Sequence, residues 1–171
     1  FKRPILKQVS QNFDKKASVE MKISFEQFCI DQSYWLDDYS RYWTLKEEND
    51  QKSWFEWELR TVQNTEYVHE AKVIQFLFHN QWHRLRQYCR EKGIQIIGDM
   101  PIYVGYDSSD VYANPELFQL DSEGRMKYQG GSPPCEYQEE GQLWGSPLYN
   151  WKNHEKTNFE WWQRRFKKLF E

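Results

Sequence analysis

The sequence predicts an α/β protein, and three observations carry the prediction. Residues 67–92, YVHEAKVIQFLFHNQWHRLRQYCREK, repeat apolar side chains at helical spacing through Ala71, Ile74, Phe78, Trp82, Leu85 and Cys89. Gly93 follows, where a helix commonly ends in a left-handed residue. The next stretch, GIQIIGDMPIYV at 93–104, is rich in isoleucine and apolar on both sides of a pleat, the pattern of a parallel strand buried on both faces. Helix, glycine turn and buried strand make half of an α/β repeat.

The other elements follow in chain order. Ser24 and Gln27 have the spacing of a capping box, so 24–48, SFEQFCIDQSYWLDDYSRYWTLKEE, is expected as one helix. It would place Phe25, Phe28, Trp35, Leu36, Tyr39 and Trp43 near one face. A second box, Ser53 to Glu56, opens a short turn carrying Trp54 and Trp57, and RTVQNTE reads as a loop. Beyond residue 104, Asn114-Pro115, Gly130-Gly131 and Pro133-Pro134 punctuate a long non-helical excursion of the kind that usually carries function. Within it LFQLDSEGRMKYQ is expected to form a hairpin turning at 121–124. Thr157 and Glu160 form a third box, opening a helix with Phe159, Trp162, Phe166 and Leu169 on one stripe.

Composition narrows the function. At 171 residues the chain suits one domain with its own core. A net charge of -3 with scattered Lys and Arg lacks the basic surface that nucleic acid requires. Cys29, Cys89 and Cys135 are far apart and form no CxxC pair, as expected of reduced thiols in a cytoplasmic protein. No run approaches the ~20 apolar residues of a membrane span. The absence of an initiator Met, and a C-terminal helical pattern without a stop signal, read as an internal fragment. Aromatic residues make up 18% of the chain, with nine Trp. Their flat amphipathic rings suit sugar faces as well as helix packing.

Few motifs carry chemistry. His79 and His83 sit four apart, but HNQWH lacks the glutamate of HExxH and a third zinc ligand. DSSD at 107–110, with Asp121 and Glu123, departs from the calcium-loop pattern, so these read as turn-forming carboxylates and no metal is implied. GxSxG, GxGxxG and P-loop motifs are missing, and no cofactor is implied. Asp99 stands apart. An acid directly after a buried parallel strand projects from the strand's carboxyl end, where α/β folds assemble their sites. The alternative role is a carboxylate that staples loop N–H groups.

GIQIIGDMPIYVGYDSSDVYANPELFQLDSEGR and GGSPPCEYQEEGQLWGSPLYNW closely resemble the 4-α-glucanotransferases of glycoside hydrolase family 77. SYWLDDYSRYW and QFLFHNQWHRLRQYCREKG fit the same family, and FKRPILK resembles its longer forms that carry starch-binding modules upstream. The resemblance implies a fragment of a (β/α)8 barrel around its third strand, with inserted helical and irregular subdomains. On that mapping 1–65 is a helical aromatic-rich segment, 66–104 helix plus barrel strand, 105–156 an inserted subdomain with an active-site lid loop, and 157–171 a helix leading to the next strand. The family transfers α-1,4-glucan segments by a retaining double displacement.

Under the resemblance Asp99 supports the sugar subsite at the cleavage point rather than acting as nucleophile. Gln142 and Trp144 line the glucan cleft, and Tyr137 sits at the tip of the lid. The family nucleophile lies in an Arg-x-Asp-His motif that these 171 residues do not contain, so the fragment is expected to be inactive. After the two prolines the family usually has Asp, then Tyr or Ala, Phe and Ser. This chain has Cys135, Glu136, Tyr137 and Gln138. The competing readings are a non-catalytic glucan-binding module stacking sugars on Trp144, Tyr137 and Tyr103, an aromatic protein-interaction surface, and an α-amylase-like hydrolase fragment.

Overall fold

The computed structural model describes residues 2–170. Phe1 and Glu171, the ends of the first and last expected segments, lie outside the described residues. The chain gathers into two compact units. One comprises the residues up to Lys52 together with Trp57–Ile97, the other Ser53–Glu56 and the residues from Gly98 onward.

The first unit is helical: α1 Lys2–Lys16, α2 Val19–Asp31, α3 Ser33–Glu48 and α4 Thr65–Glu91. The single helix expected over 24–48 is instead two. Ser18 is the N-cap, its hydroxyl accepting from the Met21 N–H. Ser24 lies mid-helix, exposed, and donates to the Glu20 carbonyl one turn back. The chain breaks at Gln32, whose side chain accepts from the Trp35 indole. The core is Phe13, Phe28, Leu36, Val73 and Phe76, flanked by Phe25, Trp35 and Leu77. Phe13, Phe25 and Phe76 meet edge to face with centroids 5.4–5.9 Å apart, a geometry that adds about 0.5–1.5 kcal/mol per pair beyond burial. Buried Asn49 ties the end of α3 to the following loop, accepting from Glu58 and Leu59 N–H and donating to the Leu45 and Leu59 carbonyls.

The core face of α4 is not the expected stripe. Of that stripe Ala71 is buried as expected, but it is joined by Val73 and Phe76, whereas Phe78, Trp82 and Leu85 are exposed. Helices α1–α3 cover the Val73/Phe76 face of the N-terminal half, and no described element covers the second stripe. The C-terminus is as expected. Gly93 has φ +69°, its N–H reaches the Arg90 carbonyl and the Ile94 N–H reaches that of Cys89, which is the Schellman pattern.

The expected buried strand is corrected. Residues 94–104 have no regular structure, and Ile97 is 94% exposed. A parallel strand needs neighbours to take its N–H and C=O groups, and none of the described residues pairs with this segment.

In the second unit one arm of the expected Ser53–Glu56 box is present, Glu56 accepting from the Ser53 N–H, while the Glu56 N–H bonds the Ser53 carbonyl instead of its hydroxyl. It seats Trp54, whose indole donates to the Tyr106 carbonyl and whose ring packs on Tyr106 and Tyr112. Asp107 accepts from the Trp54 N–H, and Ser108 caps α5, Ser109–Ala113. A 3-10 turn at Pro115–Leu117 leads to the expected hairpin, with Leu120 opposite Met126 and Asp121 accepting from Glu123 and Arg125 N–H. These bonds hold the exposed Asp121 carboxyl below its usual range. Strands β1, Gln129–Ser132, and β2, Gln142–Pro147, pair antiparallel. Helices α6, Trp151–Lys156, and α7, Glu160–Phe170, close the chain. Thr157 does not cap α7. Its hydroxyl donates back to the His154 carbonyl at the end of α6, and Asn158 and Phe159 turn the chain through positive φ.

Exposed Phe78, Ile97, Ile102 and Phe170 predict that these 171 residues, expressed alone, self-associate and bind a hydrophobic dye. Phe78→Glu combined with Ile97→Lys should reduce both in sedimentation and dye titration. A dye-silent monomer would contradict the prediction.

Candidate functional site

The backbone after Gly98 leaves regular structure, so its carbonyls must find partners elsewhere. The Pro101 carbonyl accepts from Arg165 Nη2 at 2.7 Å, and the Ile102 carbonyl accepts a short bond from the Tyr149 hydroxyl. Asp99, two residues before this pair, is exposed and makes no hydrogen bond to any described residue. It does not staple the loop. Tyr103 follows, its ring 5.4 Å from Trp144 and stacked over Tyr149 at 6.3 Å.

The loop singled out by GSPPCEYQEEGQLWG is the far end of the β1–β2 hairpin. Pairing runs Gln129 with Pro147, Gly131 with Leu143 and Ser132 with Gln142, with an irregularity between 129 and 131. Gln142 and Trp144 are two apart on β2 and so share a face. The Trp144 indole donates to Gln142 Oε1 at 3.0 Å, and Gln142 Nε2 donates to Gln138 Oε1 at 2.7 Å. At the tip Cys135 and Gln138 exchange two backbone bonds of 3.0 Å, leaving Tyr137 90% exposed.

The structure therefore joins Gln142 and Trp144 to each other and Trp144 to Tyr103. Tyr137 stands at the hairpin tip, and neither it nor Asp99 makes a hydrogen bond or ring contact with the other predicted residues. A half-exposed indole beside an amide can stack a flat ligand and hydrogen-bond its hydroxyls.

Sequence reasoning missed what lies underneath. Tyr149 is buried at the centre of an aromatic cluster with Phe118, Trp151, Trp161 and Trp162 at 5.0–5.8 Å. Arg165 lies over Trp161 and Trp162, 4.5 and 5.2 Å from their centroids. Burial pushes the Asp110 carboxyl up, opposed by Arg165 and by a hydrogen bond from Trp161. Burial likewise pushes the Tyr149 phenol up, again opposed by Arg165. The signal available was the clustering of LYNW and WWQRR, aromatic pairs beside a cation.

Elsewhere, the first unit has a groove between α2 and α4 lined by Ser24, Phe76, Asn80, His83, Arg84 and Arg90. It holds none of the predicted binding residues. The His79 and His83 rings meet edge to face at 4.4 Å, and His79 also packs on Phe28, so this pair is not a fully solvated face. Among the described residues no group of three or more His, Cys, Asp or Glu could hold a metal, and no helix is long and apolar enough to cross a membrane. All three cysteines are free.

A family model described as 4-alpha-glucanotransferase, glycoside hydrolase family 77, matches residues 1–171. The chain is 40% identical over 179 residues to a 4-alpha-glucanotransferase of Aquifex aeolicus, covering 96% of the chain and 35% of that protein. It is 39% identical over 183 residues to one from Thermus thermophilus, covering 100% and 37%. Among solved structures, an amylomaltase from Streptococcus agalactiae in complex with acarbose superposes with a TM-score of 0.87 at 34% identity, covering 97% of this chain and 36% of that one. The chain thus spans about a third of the length of these relatives.

His154 is fully buried among these rings, and neither ring nitrogen finds a partner in good hydrogen-bond geometry. Burial pushes the imidazole below its usual value, partly offset by the Leu117 carbonyl and Glu116. The unfolded chain then takes up a proton near pH 6.5 that the folded chain resists, so stability falls as pH drops below about 6.5. Thermal melts from pH 7.5 to 5.5 should show this fall, and His154→Phe should flatten it. An unchanged slope in the variant would refute the assignment.

Proposed function

Because the chain belongs to the 4-alpha-glucanotransferase family, glycoside hydrolase family 77, we propose that the protein containing it moves α-1,4-glucan segments between maltodextrins by a retaining double displacement. The observation that carries this reading is the hairpin that sets Gln142 and Trp144 against Tyr103, four residues after Asp99, within a chain matched by the family along its whole length.

In this reading Trp144 stacks on a glucose face and Gln142 hydrogen-bonds its hydroxyls. Asp99 walls the subsite at the cleavage point, where its uncommitted carboxylate accepts from sugar hydroxyls. The hairpin 129–147, with Tyr137 at its tip, acts as a lid. Covering the glycosyl-enzyme excludes water and favours a sugar acceptor over hydrolysis. Residues 66–104 supply a helix and barrel strand, 105–156 the inserted subdomain and 157–171 a helix leading to the next strand. The exposed isoleucines at 94, 96 and 97 pair and bury when neighbouring strands of a (β/α)8 barrel are present. Nucleophile and acid/base come from outside these residues, which contain no Arg-x-Asp-His. Free thiols agree with a cytoplasmic site of action.

The full-length protein is predicted to convert maltotriose into glucose and longer maltodextrins, read by chromatography. Release of hydrolysis products alone would replace the transferase with a hydrolase. Asp99→Asn should lower kcat/KM by about a hundredfold, the scale for disturbing a positioned reacting centre. Unchanged kinetics would remove Asp99 from the subsite.

A further inference from the structure

Helix α7 braces Asp99 from both sides. Arg165 donates to the Pro101 carbonyl, two residues after Asp99, at 2.7 Å. One turn on along the same helix face, Leu169 lies against Gly98, the residue before Asp99, so closely that a Cβ at Gly98 would stand 3.0 Å from Leu169 Cδ1. Only glycine admits this approach without displacing Leu169. The two contacts flank a carboxylate that itself bonds to nothing described.

Arg165 is in turn held in place. Its planar guanidinium lies over the Trp161 and Trp162 rings while one nitrogen reaches Pro101. Asp110, half-buried nearby, supplies the opposing charge. Its other terminal nitrogen, Nη1, is buried without a partner in the described residues. Lysine could not replace it. An ammonium has no planar fork with which to stack on indoles and donate in the ring plane at once.

We propose that Arg165 is a positioning residue for the active site, fixing the 99–103 backbone so that the Asp99 carboxylate is presented to the sugar. The proposal rests on the reading of Asp99 as a subsite wall. Its chemistry is that of an outer support. Arg165 touches no substrate, and it acts by removing the freedom of a carbonyl two residues from the group that does.

The test uses the full-length protein with Arg165→Met, Arg165→Lys, Asp99→Asn and the double variant Asp99→Asn/Arg165→Met. Maltotriose kinetics and amide hydrogen exchange are read together. Arg165→Met should lower kcat more than it raises KM, with kcat/KM down between about tenfold and a hundredfold, as expected for a displaced reacting centre. Arg165→Lys should not restore it. Placed on Asp99→Asn, the same change should cost less than about twofold more, because the two act through one group. Exchange at 99–103 should quicken while the α4 amides stay unchanged, which controls for global unfolding.

Unchanged exchange at 99–103 would overturn the clamp. Quickened exchange with independent, multiplying losses would show that Arg165 acts by another route and overturn its coupling to Asp99. Quickened exchange with a fully active Asp99→Asn would refute the subsite role of Asp99 and leave the clamp as a purely structural one.

Discussion

An irregular backbone segment has no ladder or helix to take its polar groups, and each one left buried and unpaired costs about 1–3 kcal/mol. The second unit is built around that constraint. From Gly98 to Tyr106 the chain has no regular structure, and three of its carbonyls are met by side chains: Pro101 by Arg165, Ile102 by Tyr149, Tyr106 by Trp54. Two of these donors are rooted in one aromatic cluster. Tyr149 sits at its centre, and Arg165 lies on its Trp161 and Trp162 faces. The aromatic richness of the chain thus has a structural use. The rings beneath the loop carry the donors to the Pro101 and Ile102 carbonyls and pack on Tyr103, which also meets half-exposed Trp144.

The same division explains the hairpin. Its base is fixed by β-pairing and by the contact of Trp144 with Tyr103, while its tip is a turn of backbone bonds around Gln138, with one side-chain bond from Gln142 and an exposed tyrosine. A base that is firm and a tip that is loosely held is the mechanical requirement of a lid. Cys135, Glu136, Tyr137 and Gln138 form that tip. Gln138 is already engaged with Gln142, so the tip residues are wired to the proposed sugar-binding amide.

Much of this was legible in the sequence because its signals were local. Gly93 as a left-handed cap, one arm of the Ser53–Glu56 box and the turn at Asp121 each depend on residues a few positions apart, and each formed. What failed depended on partners distant in the chain. The helix expected over 24–48 divides at Gln32, and Ser18 rather than Ser24 caps it, although Ser18 has Met21 and not Glu or Gln three residues on. On α4 two apolar stripes compete, and packing of α1–α3 chooses Val73 and Phe76 over Phe78 and Trp82. Thr157 fits a box by spacing but serves the preceding helix. The isoleucine run has the composition of a buried strand, and composition cannot supply neighbouring strands. For the site, Asp99, Gln142 and Trp144 stood out by motif, whereas Tyr149 and Arg165 did not. Their role lies in bonds to carbonyls 47 and 64 residues away.

A crystal structure of the full-length protein with acarbose bound tests the central claim most directly. The account predicts a sugar ring against the exposed face of Trp144, with Gln142 and the Asp99 carboxylate hydrogen-bonded to the same bound chain and the hairpin tip folded over it. A ligand bound elsewhere, leaving Trp144 and Asp99 in solvent, would contradict it.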